Sequence, residues 1–172
     1  MTEELLRKGE LAKNAAFSLA VVDTETKNRA LRAVADALLA ESKSIIDANK
    51  KDIESARKKG IREAMIDRLT LTEERIAGIA EGVRQVAALP DPIGKTVDEW
   101  TRPNGLVISR KRVPMGVIAI IFEARPNVTA DAAALCLKTS NAVILRGGSE
   151  AINSNKAIMK VIQQAAYSAG IP

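Results

Sequence analysis

Residues 116–122, with the sequence GVIAIIF, form a continuous apolar run rich in β-branched side chains. Such a run predicts a parallel strand that is covered on both faces. Residues 142–145 (AVIL) predict a second buried strand, and a helical pattern over residues 127–138 lies between the two. Another helix is predicted from near Glu150 to Gly170. Strand, helix, strand and helix in this order predict an α/β fold with a parallel sheet.

The part of the chain before this unit predicts helices and then a strand pair. In residues 1–90, apolar residues recur at the spacing of one helix face, and this pattern predicts four helices. The first carries Leu5 to Leu19, the second is capped by Asp23 or Thr24, the third ends at Gly60, and the fourth runs from Thr72 to Pro90. The third helix has one polar residue, Asn49, on its apolar side. Residues 97–114 predict paired strands of an arm or edge around an Asn-Gly signal for a tight turn.

A parallel sheet of only two strands leaves an unsatisfied edge and an uncovered face. We therefore expect that the chain of 172 residues is one part of a larger fold.

Composition excludes several classes of site. The chain has no histidine, which excludes histidine metal sites, Ser-His triads and imidazole catalysis within it. A single cysteine, Cys136, excludes an internal disulfide and fits a reducing compartment. Aromatic residues make up 2% and the net charge is +5, which argues against nucleic acid as a partner. The N-terminus lacks a signal peptide pattern and the longest apolar run is too short to span a membrane, so we expect a cytoplasmic protein.

Two polar segments follow the predicted strands, where ligands bind in open α/β sheets. Residues 146–150 (RGGSE) combine a guanidinium group with two bare backbone positions before a helix. A ribose or phosphate of a dinucleotide fits this pattern, because glycine allows a close approach and a helix N-terminus favours an anion. The alternative is a plain turn in which Gly147 and Gly148 supply special dihedral angles and Ser149 caps the helix.

Residues 123–129 (EARPNVT) follow the first strand. Asn127 is a candidate donor to a developing oxyanion, and Arg125 is a candidate ligand for a carboxylate or phosphate. The alternative is that Asn127 caps the helix and Arg125 is a solvated charge. Cys136 lies on the apolar side of the same predicted helix, which also carries Val128, Ala132 and Leu135, and is interpreted as a small hydrophobic residue.

These segments resemble a known family. Residues 113–117 (VPMGV), 123–129, 137–142 (LKTSNA) and 145–150 (LRGGSE) closely resemble the glutamate-5-semialdehyde dehydrogenase, or γ-glutamyl phosphate reductase, family of the aldehyde dehydrogenase superfamily. Residues 48–52 (ANKKD), 67–71 (DRLTL) and 89–94 (LPDPIG) look like the same family, so the resemblance covers essentially the whole chain. Ser140 stands where a glycine is more usual.

The resemblance implies a fold and a division of the chain. It implies a dinucleotide-binding domain of variant Rossmann type, a catalytic domain and a strand-built oligomerisation arm. In this chain, residues 1–90 would be a helical segment, 97–114 the arm and 115–172 a partial Rossmann unit. The catalytic domain would be absent, and the complete protein would be a homo-oligomer.

The resemblance also implies a reaction, the NADPH-dependent reduction of γ-glutamyl phosphate to glutamate-5-semialdehyde and phosphate in proline biosynthesis. A cysteine thiolate would attack the acyl phosphate, and hydride from the nicotinamide would reduce the resulting thioester. That cysteine lies further along the chain in the family, so we expect these 172 residues alone to be inactive.

Site residues are carried over by position. The resemblance implies that Asn127 stabilises the oxyanion and Arg146 contacts the adenosine ribose. Gly147 and Gly148 would lie beside the cofactor, with Ser149 and Glu150 near the 2′-position of the ribose. No metal is implied. Two alternatives stay open: another member of the superfamily, or a non-catalytic assembly or binding module.

Overall fold

The computed structural model describes residues 3–172 of the chain. Its helices are α1 (Glu3–Leu19), α2 (Thr24–Ala40), α3 (Ser42–Lys58), α4 (Glu63–Leu69), α5 (Glu73–Ala88), α6 (Asn127–Lys138) and α7 (Ile152–Ser168). Its strands are β1 (Thr96–Thr101), β2 (Val107–Lys111), β3 (Val117–Ile121) and β4 (Ala142–Arg146), and a 3₁₀ turn, Ser149–Ala151, precedes α7. Within residues 3–172, no helix has the length and apolarity needed to cross a membrane.

The α/β unit has the parallel strands that the sequence predicts. β3 pairs with β4 in register from Val117 opposite Ala142 to Ile121 opposite Arg146. Helix α6 makes the crossover between them. The carboxyl ends of both strands therefore lie at one edge of the sheet. The predicted α/β fold class is confirmed.

The prediction that the first strand is covered on both faces is wrong for the residues that the structure describes. Alternate residues of β3 are exposed, among them Val117 at 38% and Ile121 at 84%, whereas Ile118 and Ile120 are half-buried. The reason is the placement of the helices, because α1 and α6 pack against β4, whereas among the helices only α1 makes more than a marginal contact with β3. A continuous apolar run cannot distinguish these cases, since both faces have the same composition.

The core is formed by helices. α2 lies at its centre and packs on α5 and α7 through Ala30, Leu31, Val34, Ala35 and Leu38. Asp23 caps α2 by accepting from Thr26 N–H at 2.7 Å, and the Thr72 hydroxyl caps α5 by accepting from Arg75 N–H at 3.1 Å. Gly60 ends α3 at a φ of +70°, the left-handed conformation that the sequence predicts there.

Two predictions about helices need correction. No pattern in the sequence predicts α4, which is seven residues long. It is held by packing of Ile66 and Leu69 against Ala56 of α3 and Ala151. In α6, Leu135 is half exposed, because the buried side of this helix carries mostly alanine and Cys136.

The strands β1 and β2 form an antiparallel hairpin, as predicted, but the turn is not a tight two-residue one. Arg102 N–H donates to Leu106 O at 2.9 Å, so the loop contains Pro103 in addition to Asn104 and Gly105, the last of which has a φ of +84°. Of the two strands, only Ile108 is even half-buried. The hairpin therefore projects from the core.

A buried polar network joins the helical part to the α/β unit. Lys27 of α2 is 1% exposed and contacts Asp91 Oδ2 at 2.5 Å, and its Nζ donates to Ser140 Oγ at 2.9 Å. Lys138 Nζ, at the end of α6, donates to Asn28 Oδ1 and Ala87 O. Ser140 has a φ of 55°, in the region that favours glycine, and its hydroxyl is the group that a glycine would lack.

Candidate active site

Two loops meet at the edge where β3 and β4 end. Phe122 N–H donates to Arg146 O at 3.0 Å, which extends the pairing one residue beyond β3. A Cβ on Gly148 would lie 3.1 Å from the Ala124 backbone nitrogen, so the two loops are in close contact. The segments that carry Arg125 and Gly148 are therefore brought together, as the parallel pairing predicts.

Two recesses open beside these loops. The first, of about 480 Å³, lies between α4, the start of α5 and residues 125–127. The second, of about 230 Å³, lies between α4, residues 123–125 and the pair Gly148 and Glu150. Arg68 of α4 and Arg125 line both recesses. Asn127 belongs to the first recess and Glu150 to the second, whereas Arg146 lines neither.

Arg125 is exposed and forms an ion pair within its own loop. Its Nε lies 2.7 Å from Glu123 Oε1, and its side chain is 47% exposed. An exposed ion pair of this kind contributes little to stability, because water screens both charges. The guanidinium group is therefore free to exchange Glu123 for an anionic ligand at little cost.

Asn127 is the first residue of α6 and does not cap it. Pro126 occupies the cap position and makes no side-chain hydrogen bond there. The Asn127 amide nitrogen instead donates to Asp131 Oδ2 at 3.1 Å. Partial burial raises the pKa of Asp131, and the bond from Asn127 acts in the opposite direction. This bond orients the Asn127 side chain. Because the amide nitrogen carries two hydrogens, one N–H of Asn127 is left to donate to another acceptor.

The glycines of residues 146–150 are required for space and not for unusual dihedral angles. Neither Gly147 nor Gly148 has a positive φ. A Cβ on Gly147 would lie 2.3 Å from Asn155 Nδ2 and 3.0 Å from the Phe122 ring. The part of the turn interpretation that rests on special dihedral angles is therefore wrong. These glycines let the loop pack closely on α7 and on the end of β3.

The N-terminus of α7 is capped from a distant part of the chain. Asp52 of α3, which is 2% exposed, accepts from Ser154 N–H at 2.8 Å and Asn153 N–H at 3.2 Å. It also accepts from both side chains, at 2.6 Å from Ser154 Oγ and 2.8 Å from Asn153 Nδ2. The interpretation of Ser149 as the helix cap is wrong, because the Ser149 hydroxyl donates to Glu150 Oε1 at 3.0 Å. An anion at this edge would therefore rely on side chains and not on these amides.

The two charged residues of the second loop have opposite signs. Arg146 is exposed at the last position of β4. The pKa of Glu150 is lowered by its own backbone N–H and by the Ser149 hydroxyl, so the carboxylate is ionised. A cation and a carboxylate in one loop suit a phosphate and a ribose hydroxyl respectively.

Cys136 has the surroundings of a structural residue. It is 4% exposed, and burial raises the pKa of its thiol. A protonated, buried thiol is a poor nucleophile. Among residues 3–172, no group of three or more His, Cys, Asp or Glu side chains is arranged to hold a metal ion.

Sequence reasoning missed two contributors to the site, Arg68 and Asp52. Arg68 lies on α4, a helix that the sequence did not predict, and residues 67–71 indicated only the family resemblance. For Asp52 a signal existed, since Asn49 lies one turn earlier on the apolar face of α3, and a polar residue in that place indicates a buried hydrogen-bond network. Asn49 indeed donates to Leu69 O at 2.8 Å and to Ser154 Oγ at 3.0 Å.

Curated relatives match the chain along almost its whole length. It is 56% identical over 168 residues to the γ-glutamyl phosphate reductase of Clostridium novyi and 54% identical over 169 residues to that of Anoxybacillus flavithermus. The chain is homologous to the N-terminal part of γ-glutamyl phosphate reductases. These alignments cover 98% of the chain but only 40% and 41% of the two relatives. The chain thus spans about two fifths of the length of the reductases that it matches, and the resemblance is confirmed.

Solved structures agree with the reductase relationship. The γ-glutamyl phosphate reductase of Thermotoga maritima superposes with a TM-score of 0.97 at 43% identity, covering 99% of this chain and 41% of the other. That of Saccharomyces cerevisiae gives 0.88 at 32% identity, covering 94% and 42%. A probable aldehyde dehydrogenase from Listeria monocytogenes shares the fold, with a TM-score of 0.72 at 16% identity over 99% of this chain and 35% of the other. No family model matches the chain.

Proposed function

We propose that the protein carrying this chain reduces γ-glutamyl phosphate to glutamate-5-semialdehyde and phosphate, with NADPH, in proline biosynthesis. The observation that carries the proposal is 56% identity over 168 of the 172 residues to a protein named for this activity. The alignment covers 98% of the chain. A nicotinamide dinucleotide is the cofactor class that the oxidoreductase relatives imply.

The second loop fits the adenosine ribose of the dinucleotide. Gly147 and Gly148 let the loop pack on α7 and on the end of β3, Arg146 offers an exposed guanidinium group, and the ionised Glu150 offers an acceptor. Arg146 would favour a 2′-phosphate, whereas Glu150 and Ser149 would bond a ribose hydroxyl. We propose NADPH as the preferred form because Arg146 is free to move toward a phosphate. When bound, the dinucleotide supplies the hydride for the reduction.

The first loop fits the acyl phosphate. Asn127 keeps one amide N–H while Asp131 holds the other, so a donor is already oriented when negative charge develops on the acyl oxygen. Arg125 is placed beside it to bind an anionic group of the substrate. The nucleophile would not be Cys136, which is buried. We propose that the nucleophile lies outside these 172 residues, in the complete protein. We also propose that the complete protein is cytoplasmic.

The hairpin supports a homo-oligomer. Its strands are exposed except at Ile108, and they carry the exposed apolar side chains Val97, Trp100 and Val107. Exposed apolar groups on a projecting hairpin are typical of an interface between protein chains. We propose that this hairpin is the arm through which copies of the protein associate.

The proposal is tested by assaying the complete protein with γ-glutamyl phosphate and, separately, with simple aldehydes. We expect NADPH oxidation that depends on γ-glutamyl phosphate, with a lower rate when NADH replaces NADPH. The chain of 172 residues alone serves as the control and should show no turnover. Oxidation of aldehydes without any activity on the acyl phosphate would assign the protein to another branch of the superfamily.

A further inference from the structure

Arg68 stands between the two recesses and lines both of them. It lies on α4, whose apolar residues Ile66 and Leu69 are buried against Ala56 of α3. Because that side of the helix is buried, the exposed Arg68 faces the open side, toward the loop that carries Arg125.

The backbone that carries Arg68 is held from two directions. Asn49 of α3 donates to Leu69 O and accepts from Leu71 N–H, both at 2.8 Å. Arg75 of α5 donates to Thr70 O at 2.8 Å, to Asp67 O, and to Asp67 Oδ1 at 2.9 Å. The short helix is therefore fixed in place, so the position of Arg68 does not depend on a ligand.

In the part of the chain that the structure describes, Arg68 forms no ion pair, although Asp131 lines the first recess with it and Glu150 lines the second. Arg75 is paired with Asp67, and Arg125 with Glu123. Within residues 3–172, no hydrogen bond or ion pair involves the Arg68 side chain, although two recesses meet at it. An arginine held in a recess without an anionic partner is a ready site for an oxyanion, since its guanidinium group matches carboxylate and phosphate in a bidentate manner.

We propose that Arg68 and Arg125 together bind an oxyanion of the substrate, either the phosphate or the α-carboxylate of γ-glutamyl phosphate. This inference rests on the proposed function and adds to it an anion subsite and a residue from α4. Arg68 supplies the unpaired charge, and Arg125 contributes by exchanging Glu123 for the ligand. The subsite lies between the donor of Asn127 on one side and the ribose loop on the other.

The test uses the reverse reaction of the complete protein, in which glutamate-5-semialdehyde, inorganic phosphate and NADP⁺ are varied separately. The variants are Arg68→Gln and Arg68→Lys, and the matched control is Arg62→Gln, at an exposed arginine that precedes α4 and lines neither recess. We expect Arg68→Gln to raise one KM by about 10- to 100-fold, the effect of losing a charged hydrogen bond. The KM for NADP⁺ should stay the same, and Arg68→Lys should restore part of the loss.

The two oxyanions give different results. A raised KM for inorganic phosphate identifies the phosphate group, and a raised KM for the semialdehyde identifies the α-carboxylate. The inference is overturned if neither KM changes, if only the KM for NADP⁺ changes, or if Arg62→Gln has the same effect. If the wild-type protein lacks the activity, the proposed function fails by itself. Calorimetric binding of inorganic phosphate and of glutamate to the wild type and to Arg68→Gln then decides the inference, since equal affinities would overturn it.

Discussion

At the scale of single residues, Asp52 connects the core to the candidate site. Its carboxylate accepts four hydrogen bonds from Asn153 and Ser154 and lies where the dipole of α7 is positive. The 3₁₀ turn with Ser149 and Glu150 comes directly before this cap. The position of the proposed ribose loop therefore depends on a side chain that no ligand touches.

We predict that Asp52→Asn lowers the free energy of unfolding by about 2–3 kcal/mol, because an amide NH₂ would face backbone donors that the carboxylate now accepts from. The matched control is Asp47→Asn, on the same helix, where the carboxylate is exposed and contacts only Lys50. Denaturant unfolding monitored by circular dichroism measures both. Equal midpoints for the two variants would contradict the role of Asp52.

At the scale of elements, the predictable parts were those with a local pattern. The range of α6 and the caps Asp23 and Thr72 follow from residue spacing and from side chains that bond nearby backbone. α4 could not be predicted, because seven residues are too few to show a helical period and its stability comes from packing. In the site, the meeting of the two loops followed from parallel pairing, whereas Arg68 and Asp52 reach it through tertiary contacts.

The hairpin carries a prediction of its own. Trp100 and Ile108 are paired across the two strands and share a face. We predict that Trp100→Glu lowers the molecular mass of the complete protein in sedimentation, because it places a charge in the proposed interface without disturbing the core. Ser55→Glu places the same charge at an exposed position of α3, outside the hairpin, and should leave the mass unchanged. An unaltered oligomer in the Trp100 variant would argue against the hairpin as the arm.

At the scale of the whole molecule, Asp91 joins the loop after α5 to α2, and Lys27 extends this link to Ser140. Asp91 pairs with Lys27 of α2 and accepts from the Thr24 hydroxyl at 2.7 Å and from Ile93 N–H at 2.9 Å. Burial alone would raise the pKa of Asp91, but the bonds from Lys27, Ile93 and Thr24 together lower it. A lowered pKa means that this carboxylate stabilises the fold above its ordinary pKa and that the contribution is lost as the pH falls through the lowered value.

We predict that Asp91→Asn destabilises the protein at neutral pH by about 3 kcal/mol, since Lys27 would be left buried without a counter-ion. As the pH falls below about 4 the difference from the wild type should shrink, because Asp91 of the unfolded chain takes up a proton first, and it should disappear below the lowered pKa of the folded chain. Thermal unfolding at the two pH values measures this. Asp36→Asn, which breaks an exposed pair with Arg84, is the control and should show little change at either pH.

Helix α3 forms hydrogen bonds to two of the segments beside the second recess. Asn49 donates a hydrogen bond to the end of α4, and Asp52, one helical turn further on, accepts hydrogen bonds from the start of α7. A tilt of α3 would therefore act on the segment of Arg68 through Asn49 and on that of Glu150 through Asp52 at the same time. The distance between the proposed anion site and the proposed ribose loop thus depends on this helix, and substitutions at Asn49 or Asp52 should change it although neither side chain lines the second recess.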